Sequence, residues 1–296
     1  LEEQPYEFKI PQEETQMEQK IERVKMLALF ERDMRINEKS QATIEKYLRD
    51  VKGFIRYVGE DGMITKNVVI TYKQHLLRWY AVTSANSMLA AVNYFLKAVG
   101  SEDCVVKTFK VQKAAFREKE RELTKAEYLR LIAAARRKGK QRLCLVMQTI
   151  GATGIRISEL PFITVESLYT HQAKVCLKGK TRTVILPLKL CRELKKYAKE
   201  KGIRSGSIFV TRTGRPLDRS NILHEMKSLC DMAQVVSSKI SPHNLRHLFA
   251  VTYYNRERDI CHLADLLGHS NINTTRVYTL VSYEEQEQQI NRLGLL

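Results

Sequence analysis

The chain predicts a mainly α-helical protein with one small antiparallel β-sheet, an α+β fold in two domains. Three observations predict it. Apolar residues recur at helical spacing through the first hundred positions. Only the region near residues 163–187 switches to β-branched alternation, around a glycine turn. A segment rich in Lys, Arg and Glu, from about Lys107 to Arg121, separates the two patterns. At 296 residues, each half is long enough to bury a core of its own.

Residues 1–15 read as a tail and 16–106 as a helical domain. Its first helix runs from about Met17 to Arg35. The second starts after Ser40, whose hydroxyl can accept from an orphan N–H of the first turn. Ile44, Tyr47, Leu48, Val51, Phe54, Ile55 and Val58 then define one apolar face, with Lys46, Arg49, Lys52 and Arg56 on the rest. Val69, Tyr72, Leu76, Leu77 and Tyr80 mark a third helix, and Met88, Val92, Phe95, Leu96 and Val99 a fourth. Residues 107–121 form the linker. Thr124 and Glu127 make a capping box that opens the second domain, residues 122–296, whose C-terminal tail begins near 282. Lys174 to Pro187 reads as a β-hairpin with a basic Lys178-Gly179-Lys180 tip. Ser207 to Val210, followed by Thr213-Gly214-Arg215-Pro216, suggests a further short strand and turn.

Fifty Lys plus Arg against 33 Asp plus Glu give a formal charge of +17, which suits a polyanionic partner without choosing among DNA, RNA and an acidic membrane. The six cysteines stand singly, with no Cys-x-x-Cys pair and no histidine at finger spacing. They read as mostly packed, reduced thiols, and no metal site is expected. With no secretory h-region and no run of about 18 apolar residues, the chain reads as cytoplasmic.

The densest chemistry lies in the last third. Ser241 and Pro242 are a good N-cap and first helical residue, so a helix starts there with Leu245, Leu248 and Phe249 turned inward. His243 and Arg246, three apart, share the other face and can reach one phosphate. Upstream, Ala152-Thr153-Gly154-Ile155-Arg156-Ile157-Ser158-Glu159 sets Arg156 beside a glycine turn and three residues before a carboxylate able to hold its guanidinium. Downstream come Leu267-Gly268-His269 and, nine residues beyond that histidine, Tyr278. Thirteen tyrosines are present, and most follow amphipathic patterns. Tyr278 differs by lying on a short helix after Asn273-Thr274-Thr275-Arg276-Val277, with Tyr283 as the alternative to test beside it.

This ordered, multipartite set resembles the tyrosine recombinases, the integrase family that includes the Xer-type and phage lambda-type enzymes. The resemblance implies a helical, SAM-like core-binding domain followed by a mixed catalytic domain. It implies a catalytic set of Arg156, Lys178, His243, Arg246, His269 and Tyr278, with Glu159 in support. The hairpin is shorter than the family's Gly-Lys-Gly-x-Lys-x-Arg turn, which leaves Lys180 as the alternative catalytic lysine. Lys46, Arg49, Lys180 and Arg182 are the DNA-binding candidates. The implied activity is site-specific cutting and rejoining of DNA strands through a 3′-phosphotyrosyl ester, in integration, excision or inversion of a mobile element.

The chemistry fits these residue types. Attack on a phosphodiester builds charge on the nonbridging oxygens, which fixed guanidinium forks stabilise. A lysine can protonate the leaving 5′ oxygen, and His243 can take the phenol's proton, since a phenol is mostly protonated at neutral pH. His269 is expected to add a further donor. Because the ester keeps the bond energy, no cofactor is expected. The implied partners are double-stranded recombination sites, a homotetramer on two sites with possible exchange of the Ile290–Leu296 end, and accessory DNA-bending or directionality factors. A type IB topoisomerase and a DNA-binding regulator that cuts nothing are the alternative readings.

Overall fold

Four helices build the N-terminal half: α1 (Gln12–Ile36), α2 (Gln41–Val58), α3 (Lys66–Trp79) and α4 (Val82–Ala98). The computed structural model describes residues 12–59, 62–111, 122–177, 179–280 and 283–294. The chain falls into two compact units, 1–113 and 114–296. Ser40 caps α2 by accepting from the Thr43 N–H, and Thr65 caps α3 by accepting from Val68. The apolar stripes meet in a core around Phe30, Phe54, Leu76, Leu89 and Phe95, none more than 1% exposed. Phe30 and Phe95 pack edge to face with centroids 5.4 Å apart, the arrangement that the ring quadrupoles favour.

The chain leaves α4 through a stretch held by side chains instead of a sheet. On α4, the Asn93 amide exchanges bonds of 2.7 and 3.0 Å with the carbonyl and N–H of Val106. Seven residues earlier, Asn86 does the same to Phe109 at 2.9 and 2.8 Å. From α3, Lys66 bonds the Asp103 carbonyl at 3.0 Å and Lys73 the Lys107 carbonyl at 2.7 Å. Each residue pair is two helical turns apart and so lies on one stripe. Residues 107–109 of the expected linker therefore pack with the N-terminal helices; 112–121 lie outside the described residues.

The C-terminal unit opens with α5 (Lys125–Arg137), behind a complete capping box of Thr124 and Glu127, and α6 (Gln141–Thr153). A 3-10 segment (Ile157–Phe162) and the one-turn α7 (Ser167–Thr170) lead into the antiparallel pair β1 (Gln172–Leu177) and β2 (Lys180–Ile185). Next come α8 (Leu188–Glu200), α9 (Arg219–Lys227) and α10 (Cys230–Ala233). The site-bearing end holds α11 (Pro242–Glu257), α12 (Ile260–Leu267), 3-10 turns at Ile272–Thr274 and Arg276–Tyr278, and α13 (Tyr283–Asn291). Leu131, Met147, Ile150, Ile155, Phe209 and Leu245 fill its main core.

Period-2 alternation puts Ala173, Val175 and Val184 of the hairpin inward. The strand expected at Ser207–Val210 is absent. Only isolated bridges form, Thr164 with Ser207 and Val210 with Pro216, and Pro216 has no N–H with which to extend a ladder. No helix among the described residues is long and apolar enough to cross a membrane.

Candidate active site

The site is assembled where the ends of α6 and α12 meet the start of α11. Gly154 ends α6 in the left-handed conformation, φ 65°, and a Cβ there would lie 2.4 Å from the Phe249 ring of α11. Only glycine satisfies both demands. The tight turn points Arg156 outward and brings Glu159 back beneath it. One Glu159 oxygen accepts from the Arg156 backbone at 2.7 Å, and the other accepts from its guanidinium at 3.0 Å. Glu159 is 2% exposed, while the Arg156 side chain keeps 43% of its surface open to the cavity.

On α11, Ser241 caps the helix by accepting from the Asn244 N–H at 3.1 Å, with Pro242 in the first turn as expected. Arg246 is buried to 4% exposure. It donates to the Gly154 carbonyl at 2.6 Å, the Leu267 carbonyl at 2.8 Å and His269 Nε2 at 3.0 Å. One guanidinium thus ties together the ends of α6 and α12. Burial, then the Arg156 charge, draws its pKa down to about 10, against the pull of Tyr278 and Glu159, and it remains a cation at neutral pH.

Gly268 closes α12 at φ 64°, and the His269 N–H turns back to the Ala264 carbonyl at 2.9 Å. A guanidinium can only donate, so Nε2 of His269 is an acceptor; Nδ1 therefore carries the proton and donates to Thr275 Oγ at 2.9 Å. Desolvation, then the charges of Arg246, Arg156 and Arg182, lowers the His269 pKa to about 4. In this state His269 is neutral, its Nδ1 proton engaged by Thr275 and its Nε2 by Arg246.

Tyr278, 4% exposed, stacks on His269 with ring centroids 6.2 Å apart and planes 15° apart. His247 packs on it from α11 at 5.1 Å and 58°. His243, Arg246, Arg156, His269 and Tyr278 all line one cavity of about 640 Å³. His243 stands exposed at its wall. Partial desolvation, followed by His247, Arg246 and Arg219, lowers its pKa and favours the neutral ring.

The hairpin contributes as well. Arg182 lies on β2 opposite the buried Val175 and on the face of Val184, so it points inward. Its side chain, 14% exposed, donates to Glu159 at 2.6 Å and also to the Leu266 carbonyl. It is a brace between the hairpin and the end of α12, where a basic hairpin residue is expected to face DNA. A Cβ on Gly268 would lie 2.5 Å from the Arg182 side chain, so the glycine of Leu-Gly-His makes room for this brace. The period-2 pattern, counted back from Val184, carries the signal for this inward placement. Lys178 lies outside the described residues, as does the side chain of Lys180, the first residue of β2. Lys46 is likewise engaged, its ammonium 2.6 Å from Asp50, and Arg49 reaches the other Asp50 oxygen at 3.5 Å while its side chain stays 74% exposed.

A model of the phage integrase family matches residues 121–285, and a model of the phage integrase N-terminal SAM-like domain matches residues 27–102. The chain belongs to the phage integrase family. These are the tyrosine recombinases, site-specific DNA recombinases. The XerA tyrosine recombinase of Pyrococcus furiosus is 26% identical over 288 residues, covering 95% of this chain and 98% of that one. The XerD tyrosine recombinase of Chlamydia trachomatis is 34% identical over 148 residues, 47% of this chain and 48% of the relative. Among solved structures, a lambda integrase tetramer bound to a Holliday junction superposes with a TM-score of 0.69 at 17% identity, covering 86% of this chain and 76% of that one. XerH recombinase in a post-cleavage complex on palindromic difH DNA gives 0.70 at 17%, covering 86% and 80%. Sequence reasoning alone does not reveal Arg182 as a brace, Thr275 as the partner of His269, or His247 against Tyr278.

Proposed function

We propose that this recombinase acts on double-stranded DNA sites through Tyr278, with Arg156 and Arg246 holding the nonbridging oxygens of the scissile phosphate. The phenol oxygen bonds to phosphorus as the bond to the 5′ oxygen breaks. The phenol's proton passes to a neutral imidazole, His243 at the cavity wall, and the leaving oxygen takes a proton from Lys178 or Lys180. A 5′ hydroxyl from the partner site then attacks the tyrosyl ester, so strands are exchanged with no net hydrolysis and no external energy source. Four copies on DNA is the assembly we assign by likeness to the lambda integrase tetramer bound to a Holliday junction, and the C-terminal end is the segment we propose for exchange between copies. The observation carrying this reading is the stack of Tyr278 on the histidine that Arg246 holds, in a cavity shared with Arg156 and His243. The full-length recombinase relatives favour it over the topoisomerase and the non-cutting regulator.

The target sequence is open, so the test begins with a nicked duplex library of random core sequence, from which covalent adducts are recovered after denaturing washes. Wild type and Tyr283→Phe are expected to trap a common DNA core, and Tyr278→Phe to trap none. An adduct that survives in Tyr278→Phe removes the assignment. The selected duplex then serves for Lys178→Ala and Lys180→Ala, and a 5′-bridging phosphorothiolate version, whose leaving group needs no proton, is expected to restore only the variant lacking the general acid.

A further inference from the structure

Glu122 and His247 are 125 residues apart, yet the Glu122 carboxylate lies 2.9 Å from His247 Nε2 and both side chains are 15% exposed. Neither is among the groups assigned to the phosphate. His247 sits one turn beyond His243 on α11, and its ring meets the ring of Tyr278. Glu122 is firmly placed. Leu123 is buried beside it, Thr124 and Glu127 close a reciprocal cap, and Glu127 is itself paired with Lys239 at 3.0 Å. A carboxylate fixed in this way sets the orientation of an imidazole by engaging one of its two nitrogens, as supporting carboxylates do for other functional histidines.

We propose that His247, held by Glu122, is a positioning residue that docks Tyr278. Two imidazoles contact the nucleophile's ring, and each is anchored by a group on a different element. His269 is fixed by Arg246 and Thr275, and His247 by Glu122. The 3-10 turn carrying Tyr278 is only three residues long, too short to hold a ring against thermal motion by its own backbone bonds. The contacts from α11 and from His269, just past the end of α12, supply the constraint. Losing one lets the phenol leave the line of attack, and a misplacement of about 1 Å costs on the order of 10²-fold in rate. The inference rests on Tyr278 being the nucleophile.

The test uses the full chain with His247→Phe, which keeps an aromatic ring but cannot bond Glu122, together with Glu122→Gln and His247→Ala. Two readouts separate docking from folding. Nitration of Tyr278 without DNA, followed by peptide mass mapping, reports docking alone. Single-turnover adduct formation on the selected nicked duplex, at saturating protein, reports attack. Both His247→Phe and Glu122→Gln are expected to nitrate Tyr278 several-fold faster and to form adduct about 10²-fold more slowly, with DNA affinity and melting temperature near wild type. Nitration and adduct rates within twofold of wild type in His247→Phe and Glu122→Gln overturn the proposal. So does a rate loss that tracks melting temperature across the three variants. If wild type itself traps no DNA, the recombinase assignment of Tyr278 fails while the nitration result still decides the docking.

Discussion

In the N-terminal unit, Asp50 is the one charged residue among the described residues that is buried, and it is met by Lys46, whose side chain is still 35% exposed. In the C-terminal unit Glu159 and Arg246 are both buried, and Glu159 serves two guanidiniums at once. Thr149, Thr153, Ser167 and Thr275 are buried in the same unit. Burying charge is costly unless partners are close and well directed, so a fold that needed only stability would use apolar residues there. The first unit is stabilised mainly by apolar packing; the second keeps a set of mutually dependent charges around Tyr278. Charge held inside the fold separates a site from a scaffold, and matched substitutions in the two units test that distinction.

The largest effect is expected where the charges depend on one another most. Glu159→Ala removes the acceptor of the Arg156 backbone, the Arg156 guanidinium and Arg182 together, and strands Arg182 at 14% exposure. Breaking such a buried pair costs about 3–5 kcal/mol, and loss of covalent trapping is expected with it. Asp50→Ala strands Lys46 and, across a longer 3.5 Å contact, Arg49, both of which can turn to water, and is expected to cost about 1 kcal/mol or less. Urea unfolding followed unit by unit measures both. Equal costs would break the contrast.

A smaller difference is expected at two glycines that end helices. Gly59 closes α2 at φ 83° and ψ 172°, where any side chain is strained by about 1–3 kcal/mol, but a methyl group placed on it would meet nothing within 4 Å. Gly154 is left-handed, φ 65° and ψ 18°, a strain of about 1–2 kcal/mol, but its Cβ would also lie 2.4 Å from Phe249, and its carbonyl accepts from Arg246. In Gly154→Ala the displacement of Phe249 is expected to add about 1–3 kcal/mol to the backbone strain, a clash that Gly59→Ala does not carry. It should also slow adduct formation, while Gly59→Ala should not. If Gly154→Ala costs no more than its backbone strain of about 1–2 kcal/mol and leaves adduct formation at the wild-type rate, the close approach of α6 to α11 is wrong.

The N-terminal helices are legible from apolar spacing because their packing follows a period of 3.6, and the caps at Ser40, Thr124 and Ser241 because each depends on residues three apart. The convergence of Arg156, Arg246, His269 and Tyr278 in one cavity is legible only through the ordered motifs, since no local rule places residues from α6, α11 and α12 together. Arg182 is easily misread because a basic hairpin looks solvated residue by residue, whereas the pleat turns every second residue inward. The protonation of His269 depends on which partners its two nitrogens find, 23 residues back at Arg246 and six ahead at Thr275, and spacing carries no record of that. The Asn86 and Asn93 amides that bind residues 106 and 109 are hidden for the same reason.

The last effect is the most specific to the C-terminal unit. His269 has a folded pKa of about 4 against an ordinary value of 6.5. Between these values the unfolded chain binds a proton that the folded site refuses, so stability falls as pH drops from about 6.5 toward about 4. Its contribution is complete above that window. His243, lowered as well, acts in the same direction. Replacing His269 with Asn should flatten this acid slope. The ring carbon shifts of His269 should keep the neutral, Nδ1-protonated pattern at about pH 5.5, where an ordinary imidazole is mostly charged. An ordinary titration near 6.5 would mean that Arg246 does not hold Nε2 in solution, and the charged interior that distinguishes this half of the molecule would lose its central link.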